Sequence, residues 1–135
     1  MLAAGYLDDL NMVLASLEDR IELSPAERLT YFRADASVPP SAEDEQRGYS
    51  RHQLRVRAVM DLVQTLPYIE RERSFHCIYV RDISRTGIGF LHADELFPGE
   101  DCKLWLPQKE LHITVVHCRR KLARCYIVGA RFTKP

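Results

Sequence analysis

From Arg55 onward the chain falls into short runs of alternating apolar and polar residues separated by turn formers, and no other feature constrains the fold as tightly. A first strand is expected at 54–66, with Val56, Ala58, Met60 and Leu62 on one face and Arg55, Arg57, Val59 and Asp61 on the other, ended by Leu66-Pro67-Tyr68. Further strands follow at 73–82, at 87–92, at Cys102 to Leu106, at Leu111 to Arg119 and at Arg124 to Thr133. In the fifth, Leu111, Ile113, Val115 and His117 share a face, and Arg119-Arg120-Lys121 reads as the turn after it. Six antiparallel strands in about 80 residues favour a closed barrel, because an open sheet would leave long unpaired edges.

The first third of the chain has a different period. Leu7, Leu10, Leu14, Leu17 and Ile21 step by three and four residues, the stripe of an amphipathic helix over 4–22. Ser24-Pro25-Ala26-Glu27 then offers an N-cap serine, a first-turn proline and a capping-box glutamate for a second helix at 25–34, with Leu29 and Phe32 turned inward. Residues 35–48, DASVPPSAEDEQRG, have the composition of a linker. The expected organisation is a helical hairpin extension at 1–34, a linker at 35–48 and a β-barrel domain at 49–135. The hairpin has three candidate uses: packing on its own barrel, docking a protein partner, or self-association as a homodimer.

Net charge is zero, yet residues 1–46 carry ten acids and three arginines while residues 47–135 carry nine acids and sixteen Lys/Arg. The basic half suits an anionic ligand. Cys77, Cys102, Cys118 and Cys125 lack CxxC spacing and no secretory signal precedes them, so reduced thiols and a cytoplasmic location are expected. No run reaches the ~18 apolar residues of a membrane span. The five histidines follow no catalytic order, and adjacent His-Cys pairs on a strand point to opposite faces, so neither an enzyme nor a metal site is expected.

Two short segments carry candidate chemistry. Arg51 and Arg55, four apart, project to one side in extended chain and remain neighbours in a helical turn. A guanidinium binds phosphate bidentately, pairs with the O6/N7 edge of guanine, or stacks on a base. Arg47 and Arg57 are additional candidates. In Asp82-Ile83-Ser84 the polar side chains leave the strand on one face; a carboxylate there accepts from guanine N1–H and N2–H, and a hydroxyl donates to a phosphate or base. Gly87 supplies either a positive φ or room for a ring against the backbone, while Gly89 has no obvious need to be glycine.

In order and context, Arg51-x-x-x-Arg55 before the first strand and Asp82-x-Ser84-x-x-Gly87 after the second resemble the PilZ domain family. Leu96-x-Pro98-Gly99 and Gly129-Ala130-Arg131-Phe132 continue the likeness, which spans residues 47–133. The resemblance implies a mainly β fold, a six-stranded antiparallel barrel that binds the bacterial second messenger cyclic di-GMP and no other cofactor. It implies that Arg51 and Arg55 grip phosphates and guanines, that Asp82 and Ser84 hydrogen-bond a guanine and its phosphate, and that Gly87 allows close approach. Members bind one dinucleotide or a stacked pair, and Ser50 lies in the neighbourhood that influences the choice. Two other readings compete: a PilZ-like adaptor that has lost the nucleotide, and a small nucleic-acid-binding barrel. The second is disfavoured because Phe75, Tyr79, Phe90, Trp105, Tyr126 and Phe132 sit mostly in core-like strand patterns instead of forming a stacking platform.

Overall fold

A computed structural model of the chain describes residues 5–31, 37–38, 52–71 and 75–133. Two helices, α1 (Tyr6–Ser16) and α2 (Pro25–Tyr31), precede eight strands. These are β1 (Ser37–Val38), β2 (His52–Leu54), β3 (Arg57–Gln64), β4 (Phe75–Ile83), β5 (Gly87–His92), β6 (Asp101–Trp105), β7 (Glu110–Leu122) and β8 (Cys125–Phe132). Strands β3 to β8 form a closed six-stranded antiparallel barrel in the cyclic order β4-β3-β6-β7-β8-β5, with β4–β5 pairing completing the ring. The fold is thus mainly β, as the alternation predicts.

Inward residues fill the barrel: Ala58, Met60, Ile78, Val80, Phe90, Leu104, Ile113 and Val128 are each no more than 1% exposed. The helices cover the outside. Leu10 and Leu14 of α1 pack on Val59 and Cys77, while Ile21 and Tyr31 pack on Tyr79, Leu91, Cys125 and Ile127. Strand β4 is therefore buried on both faces, which explains its unbroken run Cys77-Ile78-Tyr79-Val80. The helices pack on their own barrel, the first of the three expected uses.

Several local expectations change. The first helix ends at Ser16, not at 22, and Leu17 turns extended. Beyond it the Asp19 carboxylate accepts the Ile21 N–H (3.2 Å) and the Tyr79 hydroxyl, and the Glu22 N–H donates to the Arg124 carbonyl (3.0 Å). These bonds hold 17–23 flat on the barrel, so Ile21 is buried from an extended segment. Ser24 caps α2 as expected, accepting the Glu27 N–H at 3.2 Å. Leu29, however, is 72% exposed and Tyr31 is the residue turned inward; Phe32 lies outside the described residues. Strand β7 runs through Arg119-Arg120-Lys121 to Leu122, because a register shift between Arg120 and Leu122 lets it continue against β8. A second shift between Val115 and His117 takes His117 off the inner face, leaving it exposed, and Cys118 packs against the core instead. The four cysteines are free. Among the described residues no helix is long and apolar enough to cross a membrane.

Candidate functional site

The stretch expected as one strand from 54 to 66 is two pieces laid along β4. Strand β2 pairs with its end, His52 opposite Ile83 and Gln53 opposite Asp82, and β3 pairs with its beginning, Arg57 opposite Tyr79. The Val80 N–H to Val56 carbonyl bond (2.8 Å) bridges the break. This backbone pairing brings the arginine segment beside the Asp-x-Ser-x-x-Gly turn, two residues from Arg55 to Gln53 and one strand across to Asp82.

The turn is held by its own serine. Ser84 Oγ accepts the N–H of Thr86 (3.3 Å) and of Gly87 (3.2 Å), and the Ser84 N–H donates to the Gly87 carbonyl (2.9 Å). Asp82 faces outward opposite Gly89, and its Oδ1 stands 2.8 Å from where a Cβ on that glycine would lie. Gly89 is therefore glycine to make room for the Asp82 carboxylate. Gly87 does not have a positive φ; it is a strand residue whose Cβ would collide with the Ala130 carbonyl oxygen. Of the motif glycines it is Gly99 that is left-handed (φ 98°), in the turn made by Leu96-x-Pro98-Gly99.

Across the sheet Gly89 pairs with Gly129, and the His117 ring covers Gly129 where a Cβ would stand. Gly87 pairs with Arg131, which is exposed. The outer face here is a floor of strand glycines, with the Asp82 carboxylate lying over it from one side, the His117 ring from the other and Arg131 at one end. Arg55 approaches from the helical side: its Nη1 lies 3.4 Å from the Tyr31 hydroxyl and its Cζ 5.9 Å from the centre of the Tyr31 ring. Tyr31 in turn stacks obliquely on Tyr79, centroids 4.8 Å apart. Burial raises the Tyr31 phenol above its ordinary value, and the positive charges of Arg55 and Arg81 pull it back.

Of the expected binding residues, Arg55, Asp82, Ser84 and Gly87 border this floor. Arg57 does not, since its Nη2 lies 3.9 Å from Cys77 Sγ on the first half of β4. Arg47 and Arg51 lie outside the described residues. The residues that sequence reasoning missed are Arg81, His117 and Tyr31. Arg81 had a signal: Val80 and Ile83 are both core-type residues three apart, which two-residue alternation forbids unless a bulge lies between them.

Compared with family models, residues 45–135 match the model of the PilZ domain. No curated protein matches the chain.

Proposed function

Because the chain belongs to the PilZ domain family, a family of cyclic di-GMP receptors, we propose that it is itself a receptor for this dinucleotide and not an enzyme, acting in the cytoplasm. The observation that carries the reading is the pairing of β2 with β4, Gln53 opposite Asp82, which sets Arg55 beside the Asp82–Gly87 turn at the edge of a glycine floor. Gly89 lets the Asp82 carboxylate, and Gly129 the His117 ring, lie flat against the sheet, where a planar guanine meets them without obstruction from a strand side chain beneath. Asp82 is the acceptor for guanine N1–H and N2–H, while Arg51 and Arg55 take phosphates and the O6/N7 edge. The Ser84 hydroxyl serves mainly by fixing the turn, since two backbone donors already occupy it.

The contact between Arg55 and Tyr31 supports a relay to a protein partner. Engagement of Arg55 by the ligand removes it from Tyr31, and α2 is otherwise tied down by Tyr31 packing and the 2.8 Å Lys121–Glu27 ion pair. Ligand binding thereby changes how firmly α2 sits on the barrel.

Calorimetric titration with cyclic di-GMP tests both steps. Wild type binds at micromolar concentration or tighter, about 8 kcal/mol, and Arg55→Ala and Asp82→Ala each weaken binding at least tenfold. No heat at tens of micromolar ligand overturns the receptor reading. Amide exchange in α2 that is unchanged by saturating nucleotide overturns the relay alone.

A further inference from the structure

Arg81 belongs to neither arginine motif, and among the described residues its Nε has no hydrogen-bond partner. Between Val80, opposite Phe90, and Asp82, opposite Gly89, the register of β4 against β5 shifts by one, so Arg81 is the extra residue of a β-bulge. Its side chain is half-buried and its Nε is wholly buried without a hydrogen bond. No ion pair or hydrogen bond involves it among the described residues. A buried N–H on a permanently charged group is costly unless something receives it.

The surroundings do not compensate the charge. Arg81 acts electrostatically on Tyr31 and Cys125, which sets it on the α2 side of the floor where Arg55 also enters. Glu27, the acid nearest Tyr31 there, is already held by Lys121 at 2.8 Å and by Ser24 at 3.2 Å. Two guanidinium groups thus flank Tyr31, and neither is ion-paired among the described residues. Such a pair suits a phosphodiester anion better than a neutral base.

We propose that Arg81 is a further phosphate-binding residue of the nucleotide site, delivered by the bulge immediately before Asp82. The assignment rests on the receptor reading above. The bulge is what brings Arg81 and Asp82 together: Val80 points inward, so residue 81 faces outward in either register, but without the extra residue strict alternation would turn Asp82 to the inner face.

The test is cyclic di-GMP titration of wild type, Arg81→Gln and Arg81→Lys, with thermal melts of each free protein. Glutamine weakens binding about tenfold, the loss of one charged hydrogen bond; lysine, a point charge without the fork, recovers part of it. The free Arg81→Gln protein melts no lower than wild type, because no hydrogen bond or ion pair among the described residues is removed. Unchanged affinity in Arg81→Gln beside a wild type that binds sinks the assignment and leaves the receptor reading standing. A glutamine variant that melts below wild type or fails to fold makes Arg81 structural and equally sinks it. If wild type gives no binding, both readings fall.

Discussion

Two glycines two residues apart make opposite predictions. At Gly87 an added Cβ would lie under 3.0 Å from the Ala130 carbonyl oxygen, a backbone atom of β8 fixed by the β5–β8 ladder. It can be relieved only by prising β5 from β8 at the barrel seam, where the Phe132 N–H also bonds the Thr86 carbonyl at 2.9 Å. Overpacking of this kind costs ~1–3 kcal/mol, and for a domain of this size each ~1 kcal/mol lowers Tm by roughly 4 °C. At Gly89 the obstacle is Asp82 Oδ1 at 2.8 Å, the end of a side chain, which has only to retreat by roughly half an ångström to reach ordinary contact. The Gly89→Ala fold survives, but the displaced carboxylate loses its alignment with a guanine edge. Charged hydrogen bonds are worth ~1.5–3 kcal/mol, so affinity for cyclic di-GMP falls between tenfold and a hundredfold. Thermal melts and calorimetry on both variants separate the effects: Gly87→Ala melts ~4–12 °C early, whereas Gly89→Ala melts near wild type and binds poorly. A Gly87→Ala protein with an unaltered Tm, or a Gly89→Ala protein with unaltered affinity, refutes the close-approach argument at that position.

Glu100 is 0% exposed and receives Thr65 Oγ1 at 2.6 Å, Arg71 Nε at 2.7 Å, Arg71 Nη2 at 2.8 Å and the Phe97 N–H at 2.7 Å. Glu100→Gln sets an amide donor against those donors and leaves Arg71 unpaired, so urea denaturation shows a loss of about 3 kcal/mol or more; a loss below about 1 kcal/mol counts against the network. His92 Nδ1 lies 3.0 Å from the Asp94 N and 2.9 Å from the Asp94 carbonyl oxygen, its Nε2 lies 2.9 Å from His76 Nδ1, and burial pushes its pKa down to about 4 from 6.5. The unfolded chain therefore takes up the proton first. The contribution is complete above about pH 6.5 and is lost as pH falls toward 4, amounting to ~2 kcal/mol between about pH 7.5 and pH 5. His76, also lowered by burial, adds in the same direction. His92→Asn, which keeps an acceptor for Asp94, is less stable at neutral pH but flatter across this window; a wild-type loss reproduced in the variant rejects the assignment.

The barrel was legible because alternation reports which face of a strand is buried, and six alternating runs leave few other closures. Helix length was less legible. Leu10, Leu14, Leu17 and Ile21 of the stripe touch the barrel, and an extended segment pinned by Asp19 and Glu22 buries Ile21 as well as a helix would. Leu29 misled because an apolar residue on a two-turn helix carries little periodic information, whereas Tyr31 is fixed by Tyr79, a partner distant in sequence. Motif residues were legible as types but not as roles. Spacing alone does not reveal that Ser84 spends its oxygen on the turn, that Gly87 answers to a carbonyl on β8, or that Gly89 answers to Asp82.

Several irregularities of the barrel converge on one patch, and that convergence argues function independently of any motif. The break between β2 and β3, the bulge at Arg81, the strand glycines 87, 89 and 129, and the shift that turns His117 outward all border the same floor. The core requires none of them, since Val80, Phe90 and Val128 pack as they would in a regular barrel. Each glycine in a strand costs about 0.5–1 kcal/mol against alanine, and each break interrupts a ladder. Folding alone would have filled this face with side chains and kept the alternation. A face that gives up side chains, ladder bonds and the pairing of an arginine charge is shaped by something it receives. A floor of strand glycines bordered by Asp82, Arg55 and Arg81 fits a planar base carried by an anionic backbone.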